Sequence, residues 1–199
     1  MGLLLGFWGV ALLLIAVPGP DWAFVIAAGI GPRVVLPAVG GLMIGYSLIT
    51  AVVAAGLGAV VAGTPFVLSG LTIAGAAYLA YLGIGLLRRP GTYAAPDEAA
   101  PAVAPVLRGI GVSGLNPKGL LIFLALLPQF TDPGGRWPPA VQLAALGLVF
   151  VLTCGGFYVL LGLGARGVLR TRPATARIVS RVSGAAMVVI AVLLLVEHW

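Results

Sequence analysis

The chain has 199 residues, 61% of them hydrophobic and 8% charged, with a mean hydropathy of +1.16 and a formal net charge of +6. Soluble domains carry roughly 25% charged residues, so this composition excludes one and describes a membrane protein. A single cysteine (Cys154) and a single histidine (His198) exclude disulfide frameworks and Cys/His metal sites, and basic residues set between apolar runs do not make a nucleic-acid surface.

A spanning helix takes about 20 apolar residues. The apolar windows therefore predict six spans, over residues 3–30, 37–62, 65–87, 109–130, 138–163 and 178–196. The first follows no basic n-region and precedes no small-residue cleavage site, so it reads as a retained span and not as a signal peptide. Gly2 starts no acylation pattern, because Gly6 stands where Ser or Thr is needed. Arg33, then Arg88, Arg89 and Arg108, then Arg166, Arg170, Arg172, Arg177 and Arg181 fall in or beside the first, third and fifth connections, whereas the opposite face offers only Arg136. The positive-inside rule then puts both termini of this multi-pass chain outside the cytoplasm.

Within the first span, Pro18, Gly19, Pro20 and Asp21 break an otherwise oily run. Proline lacks an amide hydrogen and clashes with the preceding turn, so the helix is expected to stop here and restart with Pro20 at its first position. Trp22 and Phe24 follow, either lining a cavity or packing. The second span carries Gly41 and Gly45 as a GxxxG pattern, a mark of close helix packing or dimerisation. Tyr46, Ser47, Thr50, Tyr78, Tyr81, Thr153 and Tyr158 are intramembrane hydroxyls that line a cavity or bond to neighbouring helices, and Tyr46 is taken as a candidate lining residue.

The Pro/Ala-rich stretch 88–108, with Asp97 and Glu98, reads as a solvated cytoplasmic linker inside a single transmembrane domain 1–199. It separates half one (1–87) from half two (109–199). The fourth span holds Asn116, Pro117 and Lys118, with Asn as N-cap and Pro at N1 of a second restarted helix. It ends at Pro128, Gln129 and Phe130, where Gln129 either touches the permeation path or caps the helix end. Cys154, beside Gly155 and Gly156, reads as a small packing residue. Trp8, Trp137 and Trp199 read as interfacial anchors.

Three spans per half force related halves to lie upside down to each other, and GPD in the first half has its counterpart in NPK in the second. The expected fold is an all-α membrane protein of six transmembrane helices in two inverted three-helix repeats, the first helix of each half broken at proline. Amides exposed at such breaks survive in hydrocarbon only beside protein or a wet cavity, and helix N-termini attract anions. Asp and Lys at mid-span cost about 2.5–3.5 kcal/mol each on insertion scales. Asp21 and Lys118 are accordingly expected to face each other, to pair when the site is empty, and to part to hold the ammonium and carboxylate of a zwitterion. Gly19, Pro20, Asp21, Asn116, Pro117 and Lys118 form the candidate binding set, with Pro18, Trp22, Phe24, Tyr46 and Gln129 as candidate lining. A kink kept for packing and a purely structural acid–amine pair are the competing readings.

PGPD in the first span, a glycine-rich second span, and GLNPKGLLIFLALLPQF after the linker resemble the LysE/RhtB family of amino-acid exporters over essentially the whole chain. The resemblance implies a six-helix, dimeric exporter of the cytoplasmic (inner) membrane that moves amino acids or related metabolites outward on the proton motive force, and marks Pro18 to Asp21, Asn116 to Lys118 and Pro128 to Phe130. Ile122 and Phe123 stand where relatives often have paired phenylalanines. No catalytic residues, metal or cofactor are expected beyond the proton as coupling ion. A dibasic cargo would need a second intramembrane carboxylate. Asp97, Glu98, Asp132 and Glu197 all fall outside the predicted spans, so a neutral or small zwitterionic amino acid is favoured. Export of another small metabolite or ion and a nontransporting scaffold are the alternatives. An intramembrane enzyme lacks any nucleophile–base pair.

Overall fold

The computed structural model describes residues 2–17, 19–30, 34–56, 65–90, 103–132, 134–169 and 173–198. Among them the chain is all helical, with eight α-helices in order: α1 Gly2–Ala16, α2 Pro20–Ala28, α3 Val35–Ala54, α4 Pro65–Arg88, α5 Ala104–Gly114, α6 Pro117–Leu121, α7 Pro139–Leu169 and α8 Pro173–His198. Helix α6 runs into a π turn at Ile122–Leu126 and a 3-10 turn at Leu127–Phe130. Five helices open on proline, whose missing N–H costs nothing at a first position that has no helical acceptor.

Helices α3 and α7 each supply a stretch long and apolar enough to cross a bilayer, Val35–Ala54 and Pro139–Gly167. Two bent pairs pass the same test when each is taken as one span, α1 with α2 at 64° and α5 with the Lys118–Phe130 segment at 58°, so the described residues hold two to four apolar spans where six are expected for the chain. Large apolar side chains face outward, among them Leu13, Phe66 and Leu160, each at least 70% exposed. A soluble monomer rarely shows such a surface, and a bilayer covers it. Helix α5 begins at Ala104, inside the stretch read as linker, because Pro105 can open a helix before the apolar run starts. Of that linker, residues 91–102 lie outside the described residues, as does Pro18.

Packing is close where glycines meet backbone. A Cβ on Gly45 would strike Ser113, and one on Gly41 the Val106 carbonyl, so the GxxxG face of α3 is used inside the chain, against α5. A Cβ on Gly83 of α4 would lie 2.7 Å from the Gly184 carbonyl of α8, and one on Gly184 would lie 2.8 Å from the Gly83 carbonyl. The core between these helices is aromatic and aliphatic, with Phe7, Phe24, Tyr46, Phe123 and Phe150 all at most 2% exposed.

Candidate functional site at the meeting of two helix breaks

An unbroken α1 would carry the carbonyls of Leu14 and Ala16 onto the amides of residues 18 and 20, which are prolines and have none. Leu14 O keeps a long 3.3 Å bond from the Val17 amide, and side chains supply further donors at the break. The indole Nε1 of Trp22 donates to Ile15 O at 2.8 Å, reaching back from the restarted helix. The Lys118 ammonium, arriving from the second break, donates to Leu14 O at 2.5 Å and to Val17 O at 2.9 Å. A cation suits this place, since carbonyls at a helix C-terminus carry partial negative charge.

The second break is organised by Asn116, which has an extended backbone (φ −77°, ψ 109°) and is 1% exposed. Its Oδ1 accepts the Lys118 amide at 3.1 Å and so caps α6. Its Nδ2 donates to Asp21 Oδ1 at 2.9 Å and to the Tyr46 hydroxyl at 3.3 Å. One side chain thus caps the helix after one break and holds the carboxylate in the first turn of the helix after the other.

Asp21 is 5% exposed. Besides Asn116, its Oδ2 accepts the hydroxyls of Tyr46, at 2.5 Å, and of Tyr158, at 3.2 Å. These donors come from α2's neighbours α3, α5–α6 and α7, so the carboxylate is the knot on which three other parts of the bundle converge. Hydrogen bonds to a charged group contribute about 1.5–3 kcal/mol each and offset the cost of burying it. Tyr46 is itself wedged between Phe123, stacked at 5.7 Å between ring centroids, and Phe150, edge-on at 5.2 Å. A Cβ on Gly119 would lie 2.6 Å from the Tyr46 ring, so glycine after Lys118 lets the tyrosine reach Asp21.

The structure brings Gly19, Pro20, Asp21, Asn116 and Lys118 together, and Pro117 occupies the first position of α6. A Cβ at Gly19 would meet the Lys118 stem at 3.9 Å. The expected pairing of Asp21 with Lys118 is corrected: each charge has its own partners, the ammonium on carbonyls at the broken end of α1 and the carboxylate on two hydroxyls and an amide. The two remain within electrostatic reach. Of the candidate lining residues, Tyr46 bonds to Asp21, and Trp22 is half-buried against Phe157. Phe24 is wholly buried in the core, and Gln129 lies exposed in the 3-10 turn. Tyr158 belongs to the site, although nothing in its local sequence sets it apart from the other intramembrane hydroxyls. Among the described residues, no three or more His, Cys, Asp or Glu side chains group as metal ligands.

A bundle of apolar helices, two of its spans snapped at proline and joined by one buried polar knot, has the build of a membrane translocator. The comparisons with known proteins agree: the LysE type translocator family matches residues 4–198, and the chain belongs to that family. It is 30% identical over 187 residues to the leucine efflux protein of Klebsiella pneumoniae, covering 89% of this chain and 87% of that one. It is also similar to uncharacterized membrane proteins of Pseudomonas aeruginosa (33% identical, 66% of this chain and 67% of the relative) and Vibrio cholerae (32%, 71% and 70%). No solved structure matches the chain significantly.

Proposed function

We propose that the protein exports neutral amino acids from the cytoplasm in exchange for protons, binding them at the knot formed by Asp21, Asn116 and Lys118. The observation that carries this reading is a buried carboxylate and a half-buried ammonium held on separate partners, within electrostatic reach of each other, where two helix breaks meet. Opposite charges so placed suit the two ends of a zwitterion. Lys118 and the restarted helix amides take the carboxylate, Asp21 faces the ammonium, and Asp21 is the proton carrier, because cargo charge beside it alters its hold on a proton.

Neutral cargo is supported by the acid count. Five acids are present, and the four besides Asp21 lie outside the predicted spans, leaving no intramembrane partner for a cationic side chain. A relative named for leucine efflux supports the same preference. Two inverted halves are supported by the reciprocal contact of Gly83 and Gly184, in which each glycine abuts the other's carbonyl. The arginine distribution supports both termini outside the cytoplasm, and the family resemblance supports the inner membrane. The family resemblance supports a homodimer.

The test is reconstitution into liposomes loaded with labelled leucine or labelled lysine, with and without an imposed pH gradient. Leucine efflux above protein-free liposomes, accelerated by the gradient, is expected, with lysine at the protein-free level. Faster lysine than leucine would overturn the neutral preference, and no transport of any neutral amino acid would overturn the reading.

A further inference from the structure

The Lys118 ammonium sits where a helix end offers carbonyls short of donors, the chain itself giving Leu14 O only a long 3.3 Å bond from the Val17 amide. Leu14 O would have received an amide from residue 18 and Ala16 O one from residue 20, and both are prolines. Val17 O lies at the very break. The cradle thus has acceptors of one sign, the negative end of a 15-residue helix dipole, and Asp21 within electrostatic reach. Among the described residues its occupant donates to two carbonyls, Leu14 O and Val17 O. Val17 is exposed and Lys118 only half-buried, so the cradle is reachable from outside the knot.

We propose that the carbonyl end of α1 is a binding site for a primary ammonium group, filled by Lys118 as a tethered occupant and by the cargo's own amino group during transport. The second half of this statement rests on the amino-acid reading above; the first does not. When the cargo ammonium takes the Leu14 and Val17 carbonyls, where it stays within electrostatic reach of Asp21, the Lys118 head is released next to it. An α-amino acid carries its carboxylate one carbon from its nitrogen, so the displaced lysine finds its new partner on the molecule that displaced it. The cradle thereby selects amines with N–H donors: a trimethylated nitrogen presents none, and an acylated one carries no charge.

The test uses Lys118→Met, which keeps an apolar stem beside Gly19 and removes the head. In detergent, methylammonium is expected to raise the thermal unfolding midpoint of this variant saturably. Tetramethylammonium at equal ionic strength is expected to bind at least about ten-fold more weakly, the worth of one charge-assisted hydrogen bond. Wild type, its cradle filled by Lys118, is expected to need a higher methylammonium concentration for the same rise and not to respond to tetramethylammonium. Equal effects of the two ions, or no saturable effect of methylammonium on folded protein, would overturn the proposal. If the variant does not fold, the wild type suffices, because Lys118 is the only lysine in the chain. Labelled with [15Nζ]lysine, it gives one side-chain signal, which rising methylammonium is expected to shift and tetramethylammonium to leave in place; a signal that neither moves would overturn it. Methylammonium has no carboxylate, so its binding stands whether or not the protein exports amino acids, and failure of leucine transport alone would strike only the function proposed above.

Discussion

Replacing Gly119 by alanine places a methyl group 2.6 Å from Cε1 of the Tyr46 ring and 3.2 Å from its hydroxyl. Carbon atoms settle at about 3.5–4.0 Å, so the ring must move by roughly 1 Å. Phe123 and Phe150 hold it on two sides, and its hydroxyl is bonded to Asp21 and Asn116. Overpacking of this kind costs about 1–3 kcal/mol. Pulling the hydroxyl away from Asp21 forfeits about 1.5–3 kcal/mol more if the carboxylate is not re-satisfied. A lower unfolding midpoint in detergent and a loss of export from proteoliposomes are expected together. The decisive form is a double-mutant cycle with Tyr46→Leu: once the ring is gone, Gly119→Ala has little to strike, and a coupling of at least about 1 kcal/mol should appear. Additive effects of the two substitutions would refute the claim that Gly119 serves Tyr46.

Asn116→Asp keeps the cap on the Lys118 amide but sets a second carboxylate against Asp21, so folded protein with abolished export is expected, read by chromatography and vesicle efflux side by side. Trp22→Phe keeps a ring against Phe157 and strips Ile15 O of its donor; a loss of about 1 kcal/mol, read as a lower unfolding midpoint, is expected. Gly83→Ala, whose Cβ meets the Gly184 carbonyl at 2.7 Å, is expected to destabilise by separating α4 from α8. Gly85→Ala on the same helix meets nothing within 4 Å and is expected to be neutral or stabilising by up to about 1 kcal/mol.

The two breaks were legible because proline chemistry is local: Pro20 and Pro117 fix where α2 and α6 begin, whatever packs around them. The role of Asn116 as cap was legible for the same reason. What surrounds Asp21 was not. Tyr46 and Tyr158 are two of five tyrosines, separated from Asp21 by 25 and 137 positions, and no spacing rule brings them to one carboxylate. The Asp21–Lys118 pairing follows from charge alone and overlooks the carbonyls at the end of α1, where Pro18 and Pro20 interrupt the helical ladder, a feature that the sequence does allow. Glycine patterns named the close faces but not their partners: Gly41 and Gly45 could have met a second copy, and they meet α5. Helix ends followed proline positions more closely than hydropathy, as the start of α5 at Ala104 illustrates.

The central claim is that the carboxyl of Asp21 is where cargo and proton meet, and Asp21→Asn tests it most directly. The amide keeps the size of the side chain and an acceptor for Tyr46 or Tyr158 while removing the exchangeable proton. In liposomes, pH-gradient-driven leucine efflux should fall to the protein-free level while exchange of labelled for unlabelled leucine persists. Gradient-driven efflux at the wild-type rate in that variant would contradict the account.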